Sequence, residues 1–99
     1  MVLITATAQA QLEALERHYA ELGRDLATIR MMEAVAMAAA RIEEQAGPFL
    51  PTPRPYPDLA DLGWQWLKEG RYWIAFDITQ NGYAITGVFF ETANISARI

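Results

Sequence analysis

The chain has 99 residues, 53% of them hydrophobic and 20% charged, which suits a single domain over residues 1–99 with one core. It has no cysteine and one histidine, His18, which excludes disulfides, thiol catalysis and a histidine metal cluster; we expect no cofactor and no metal. The formal net charge of −4 and the pI near 4.8 argue against a nucleic-acid surface that neutralises phosphates.

No apolar run approaches the roughly 20 residues of a membrane helix. The N-terminus also lacks the basic region and the long apolar stretch of a secretory signal. These two features predict a cytoplasmic protein without membrane association.

The N-terminal segment predicts a short strand followed by a helix. Residues 2–4 form a short apolar run typical of a strand, and Thr5 or Thr7 can cap the helix that follows. This helix is expected to end near Gly23. Its apolar residues recur every three or four positions, as in an amphipathic helix: Ala8, Leu12, Leu15, Tyr19 and Leu22.

A second helix is predicted from Asp25, a suitable capping residue, to about Gln45. The short connection makes the two helices antiparallel. The Gly47-Pro48 pair ends the second helix, and all five prolines fall within residues 48–57, which predicts an extended strap. The residues expected to face inward are Leu26, Ile29, Met32, Val35 or Ala36, Ala39 and Ile42.

The segment 70–92 predicts a β-hairpin. Aromatic and β-branched residues alternate on both sides of Asn81-Gly82, a pair suited to a two-residue type I′ turn. This loop fixes the predicted register of the two strands. The expected pairs include Phe76 with Gly87, Ile74 with Phe89, and Trp73 with Phe90.

A preceding strand within residues 62–68, joined by a Glu69-Gly70 turn, completes a predicted three-stranded meander. The alternation of this strand, together with the predicted hairpin register, places four large aromatic side chains on the sheet face away from the helices: Trp64, Trp66, Trp73 and Phe90. Two interpretations of this face stay open. Either another layer of the same chain, such as residues 93–99, covers it, or it binds a partner.

The predicted order β-α-α-β-β-β is a two-layer α+β fold, with an N-terminal strand and an antiparallel helical hairpin packed on a mainly antiparallel sheet. The opening ITATAQAQLEALERHYAE is similar to the pattern Thr-x-x-Ala-x-x-x-Leu-x-x-Ile-x-x-Tyr, and GRYWIAFDI is similar to the strand pattern Arg-Tyr-x-Ile-x-Tyr. On these motifs the chain resembles the RelE/ParE superfamily of toxins from bacterial type II toxin-antitoxin systems, and most closely the ParE branch. The matching residues are Thr5, Ala8, Leu12, Leu15, Tyr19, Arg71, Tyr72, Ile74 and Phe76.

The resemblance implies a toxin neutralised by a cognate, ParD-like antitoxin, whose flexible segment folds on the toxin. In the ParE branch the toxin binds and inhibits DNA gyrase without catalysis. The aromatic face described above is then the candidate antitoxin surface. In the RelE branch the toxin cleaves mRNA on the ribosome, and Arg71, Tyr83 and Arg98 become the candidate catalytic residues. A ParE-like protein with another target, or with no toxicity, is a third possibility.

Overall fold

A computed structural model describes residues 2–53, 57–93 and 95 of the chain. Its four strands form one mixed sheet in the order β1-β4-β3-β2, with β1 parallel to β4 and the other pairs antiparallel. The predicted α+β fold with the order β-α-α-β-β-β is confirmed. Within those residues, no helix has the length and apolarity needed to cross a bilayer. The elements are β1 (Val2–Ile4), α1 (Ala6–Glu21), α2 (Asp25–Glu44), a 3-10 helix (Pro57–Leu62), β2 (Gln65–Glu69), β3 (Tyr72–Thr79) and β4 (Gly82–Phe90).

Helix α1 begins and packs as its sequence predicts. The hydroxyl oxygen of Thr5 accepts a hydrogen bond from the Ala8 N–H at 3.1 Å, which satisfies one free amide of the first turn. Ala8, Leu12 and Tyr19 are buried against the sheet, so most of the predicted stripe is confirmed. Leu22 is instead 55% exposed, because it lies at the C-terminal cap, beyond the last turn that packs on the sheet.

Helix α2 is rotated relative to the prediction. Its buried residues are Met31, Ala34, Val35, Ala38 and Ile42, so Val35 and Ile42 confirm part of the expected stripe. Leu26, Ile29 and Met32 were expected to face inward and are about half exposed. The helix is apolar around most of its circumference, and the small side chains of Ala34 and Ala38 let it pack closely on the sheet. The face with the larger residues therefore points outward.

The hairpin register differs from the prediction at the loop. Thr79 pairs with Gly82, so the connecting residues are Gln80 and Asn81 rather than Asn81 and Gly82. The Thr79 hydroxyl donates to the Gly82 carbonyl at 2.9 Å and accepts from the Asn81 N–H at 3.3 Å. The Thr79 side chain thus closes the loop through two hydrogen bonds, an arrangement that the Asn-Gly turn pattern does not predict. The β2–β3 loop is likewise shifted, because Glu69 pairs with Tyr72.

A register shift in the middle of the hairpin corrects the predicted position of Phe90. Phe76 pairs with Ile85, whereas Ala75 pairs with Gly87, which leaves Thr86 as an extra residue in β4. Beyond this bulge the two faces of β4 are exchanged relative to a regular ladder. Phe90 consequently packs edge-on against Tyr72 on the helix side, at 5.5 Å between ring centroids. Phe89, which was predicted to face the helices opposite Ile74, occupies the outer-face position predicted for Phe90, and its ring lies 5.9 Å from that of Trp66 between centroids.

The outer face of the sheet is covered by the same chain. Trp66, Trp73, Ala75 and Phe89 form a second apolar cluster with Leu59 and Ile95, and Leu50 and Trp64 pack against it. Leu50 also forms a two-bond bridge with Trp66 at the outer edge of β2. Of the two interpretations of this face, coverage by the chain itself is the one observed. Trp66 and Trp73 have at most 8% of their surface exposed, so the four predicted aromatic residues do not form one accessible surface.

Candidate partner-binding groove

A large groove lies where α1 and α2 meet the end of the sheet at which β3 begins and β4 ends. Its volume is about 1360 Å³. One wall is α1, the opposite wall is α2, and the ends of β2, β3 and β4 close the base. We call it the end groove. The residues that line it include Tyr19, Arg24, Leu26, Arg30, Glu33, Met37, Arg71, Tyr72 and Phe90.

The base of the end groove holds a pair of tyrosines. Tyr19 comes from the buried stripe of α1 and Tyr72 is the first residue of β3, and their hydroxyl oxygens lie 2.6 Å apart. Burial raises the pKa of the Tyr72 hydroxyl, and the hydrogen bond with Tyr19 raises that pKa further. The Tyr72 phenol is therefore in its neutral form at pH 7. One hydroxyl hydrogen joins the pair, and the other is free to donate to a bound group.

Two arginines lie close to this tyrosine pair. The guanidinium carbon of Arg24 is 6.0 Å from the centroid of the Tyr19 ring, and that of Arg71 is 4.8 Å from the centroid of the Phe90 ring. Both charges act to lower the pKa of Tyr72, although burial outweighs them. The end groove thus presents two cations close to a neutral hydrogen-bond donor.

The charge of Arg71 is partly balanced by Glu91. The Arg71 Nε lies 2.8 Å from one Glu91 oxygen, and the Lys68 ammonium lies 3.0 Å from the other. The hydrogen bond from Arg71, followed by that from Lys68, lowers the pKa of the Glu91 carboxyl. Arg24 has no ion-pair partner among the described residues, so it is the more available cation for a ligand.

Helix α2 adds exposed apolar surface to the groove and beside it. Leu26 and Met37 line the groove, and Ile29 and Met32 lie on the outer side of the same helix. Each of the four has between 48% and 56% of its surface exposed. Because the burial of one such side chain contributes roughly 1.5–3 kcal/mol, this face is suited to binding another protein segment.

The residues proposed for ribonuclease catalysis are not brought together. Arg71 lies at the end groove, but Tyr83 lies near the start of β4 and packs against Phe76. Tyr72, next to Arg71, pairs with Phe90, which is seven residues beyond Tyr83 on β4. At a rise of about 3.3 Å per residue, this separates them by about 23 Å. Arg98 lies outside the described residues.

Sequence reasoning missed the main features of the end groove. Tyr19 and Tyr72 were each recognised as helix and strand positions, but their pairing depends on how α1 docks on the sheet. Arg24 lies in the connection between the helices and carries no local motif. The predicted antitoxin residues lie elsewhere: Trp64, Trp66 and Trp73 belong to the outer face, and only Phe90 lines the groove.

Comparison of the chain with known protein families and with curated proteins finds no match.

Proposed function

We propose that the chain is the toxin of a bacterial type II toxin-antitoxin system, neutralised in the cytoplasm by a cognate, ParD-like antitoxin. It acts by binding and inhibiting an essential target such as DNA gyrase, without catalysis and without a cofactor. The observation that supports this most is the arrangement of the helical hairpin on one sheet face, in the order β-α-α-β-β-β, with an open groove at its end. The sequence motifs that resemble the ParE branch occupy α1 and β3 of this arrangement.

The end groove is the surface on which we place the antitoxin. It combines exposed apolar side chains with a neutral donor and two arginines, a combination that suits an amphipathic segment carrying an acidic residue. The apolar residues of the segment would pack against Leu26 and Met37, and its carboxylate would accept from the tyrosine pair near Arg24. This replaces the aromatic outer face as the candidate antitoxin surface, because Trp66 and Trp73 are buried.

A ribosome-dependent mRNA endonuclease is the second candidate. The position of two arginines beside the tyrosine pair favours it, since phosphate cleavage needs cations and a group that transfers protons. In that case Arg24, Arg71 and the tyrosine pair would act together, and Tyr83 would have no part in the reaction.

The first experiment measures the activity of the purified chain on both targets. Gyrase supercoiling and the trapping of cleaved plasmid are assayed beside in vitro translation with a defined mRNA. Inhibition with trapped DNA breaks supports the gyrase proposal, whereas position-specific mRNA cleavage supports the endonuclease. Folded protein inactive in both assays contradicts both mechanisms and leaves the antitoxin partnership to be tested separately.

The antitoxin partnership is tested by co-expression with the product of the neighbouring reading frame. Leu26→Asp, in the end groove, is expected to weaken the complex at least about tenfold, because it puts a charge into an apolar contact. The matched control is Ile78→Asp, since Ile78 is 58% exposed at the opposite end of β3 and Leu26 is 56% exposed. Equal effects of the two changes would contradict the assignment to this groove.

A further inference from the structure

The exposed surface of α2 that borders the end groove carries a stripe that is complementary to itself. Leu26, Arg30, Glu33 and Met37 follow one another at spacings of four, three and four residues, and all four are exposed. This spacing keeps them on one side of a helix, in the manner of a seam between two packed helices. Neither Arg30 nor Glu33 has an ion-pair partner among the residues that the structure describes. Two apolar side chains therefore flank an unpaired cation and an unpaired anion.

An antiparallel pairing with a second copy matches every member of this stripe. If a two-fold axis passes beside the midpoint of Met31 and Met32, Leu26 faces Met37 of the second copy. Under the same axis Arg30 faces Glu33 of the second copy. Each contact occurs twice by symmetry, which is the property of an isologous interface. A parallel pairing would instead set Arg30 against Arg30 and Glu33 against Glu33.

We propose that the chain forms a two-fold dimer through α2, with the two helices antiparallel and the Arg30–Glu33 contacts at the centre. Ile29 and Ala36 lie along one flank of the stripe and are exposed, so they extend the apolar contact beyond the seam. The small side chain of Ala36 allows the two helices to approach closely there. The order of the charges selects a second copy of the chain as the occupant. An antiparallel copy presents its acidic and basic residues in the opposite order, and a different partner would need that same arrangement on its own helix.

The dimer does not depend on the proposed toxin function. It does have a consequence for the end groove, because all four residues of the stripe, Leu26 and Met37 among them, also line that groove. A partner seated on these two side chains and a second copy of the chain would exclude each other.

Charge reversal tests the central contacts. Sedimentation equilibrium of the full chain is measured for the wild type, Arg30→Glu, Glu33→Arg and the double variant. Each single reversal creates two like-charge contacts and is expected to weaken dimerisation at least about tenfold, while the double variant restores it. Arg17→Glu on α1 is the matched control and is expected to leave dimerisation unchanged. Circular dichroism confirms that each variant is folded. A wild type that is monomeric at all concentrations overturns the proposal, and so does a dimer insensitive to the single reversals.

Cysteine crosslinking tests the direction of the pairing. The chain has no native cysteine, so Leu26→Cys and Met37→Cys each introduce a single thiol. In the antiparallel dimer a mixture of the two proteins forms a disulfide between them under mild oxidation. Either variant alone does not, because its two thiols are displaced by about 16 Å along the helices, beyond the reach of a disulfide. Efficient crosslinking of Leu26→Cys with itself, and none in the mixture, would overturn the antiparallel arrangement.

Discussion

The hydroxyl oxygens of Tyr19 and Tyr72 lie 2.6 Å apart and join the last turns of α1 to the start of β3, across 53 residues of sequence. Both residues have about 5% or less of their surface exposed. This bond fixes the position of the helical hairpin over the end of the sheet, and hence the shape of the end groove. The burial of Tyr72, together with this bond, raises the pKa of its hydroxyl and makes the stability of the fold depend on pH in the alkaline range.

Tyr72→Phe is expected to reduce the loss of stability at high pH. The pKa of Tyr72 is raised in the folded protein and has its ordinary value of about 10 in the unfolded chain. The stabilising effect is thus complete below pH 10 and is lost as the pH rises above it, because the unfolded state ionises first. Urea unfolding at neutral pH and above pH 10 measures the effect. At neutral pH the variant loses only the hydrogen bond, about 0.5–1.5 kcal/mol.

Tyr83→Phe is the control for this experiment, because it removes a hydroxyl from a partly exposed tyrosine in the same sheet. It should keep the alkaline loss of the wild type. An equal alkaline loss in Tyr72→Phe and the wild type would contradict the assignment to the buried pair.

Gln11→Leu is expected to destabilise the protein by about 1–3 kcal/mol, because it leaves a partly buried amide without an acceptor. The Val88 N–H donates to the Oε1 of Gln11 at 2.9 Å. Gln11→Glu keeps an acceptor oxygen and should cost less. The control is Gln9→Leu, since Gln9 is exposed on the same helix and makes only a 3.4 Å side-chain contact. Thermal unfolding of the three variants measures the loss of stability. An equal loss in Gln9→Leu and Gln11→Leu would contradict the prediction.

Gly87→Ala is expected to cost about 1–3 kcal/mol through overpacking. A Cβ atom at this position would lie 2.6 Å from the Phe89 ring, which is held by its contact with Trp66. The cost should fall by about 1 kcal/mol or more in a Phe89→Leu background, where the ring is absent. A double-mutant cycle by chemical denaturation measures the coupling. Additive effects would show that Gly87 is required for its backbone rather than for the space beside it.

Trp66→Ala is expected to destabilise the fold by about 3–5 kcal/mol, since Trp66 is fully buried in the outer cluster. Trp66→Phe should cost less, because the indole N–H has no partner among the described residues and its removal leaves no unpaired donor. Trp64→Ala, at the partly exposed margin of the cluster, is the control and should have a smaller effect. Equal stability of Trp66→Ala and the wild type would reopen the outer face as a binding surface.

The sequence predicted the features that depend on local pattern. The order of the elements, the Thr5 cap and most of the α1 stripe follow from spacing along the chain. The inward face of α2 does not, because nearly every direction around that helix is apolar and only docking decides which alanines meet the sheet. A helix with apolar residues on several faces does not reveal from its sequence alone which face packs on the sheet.

The hairpin shows how one residue can change a predicted site. The extra residue Thr86 exchanges the faces of β4 beyond it, so Phe89 and Phe90 occupy each other's predicted positions. Gly87, an isolated glycine beside Thr86 within β4, is the local signal of such a bulge, but a regular ladder with Gly87 opposite Phe76 accommodates it equally well. The tyrosine pair was hidden for a related reason, since it joins a helix and a strand that are distant in sequence.

The contact between Gln11 and Val88 also bears on how the folded protein resists aggregation. β1 pairs with residues 83–85 of β4 only, and beyond them Gln11 occupies a backbone donor on the outer edge of the longest strand. At the opposite edge of the sheet, Leu50 pairs with Trp66 through two backbone hydrogen bonds. Strand edges with free donors and acceptors are templates for the addition of strands from other molecules. The Leu50 bridge and the Gln11 side chain each occupy part of such an exposed edge, which restricts the addition of a strand at these two places.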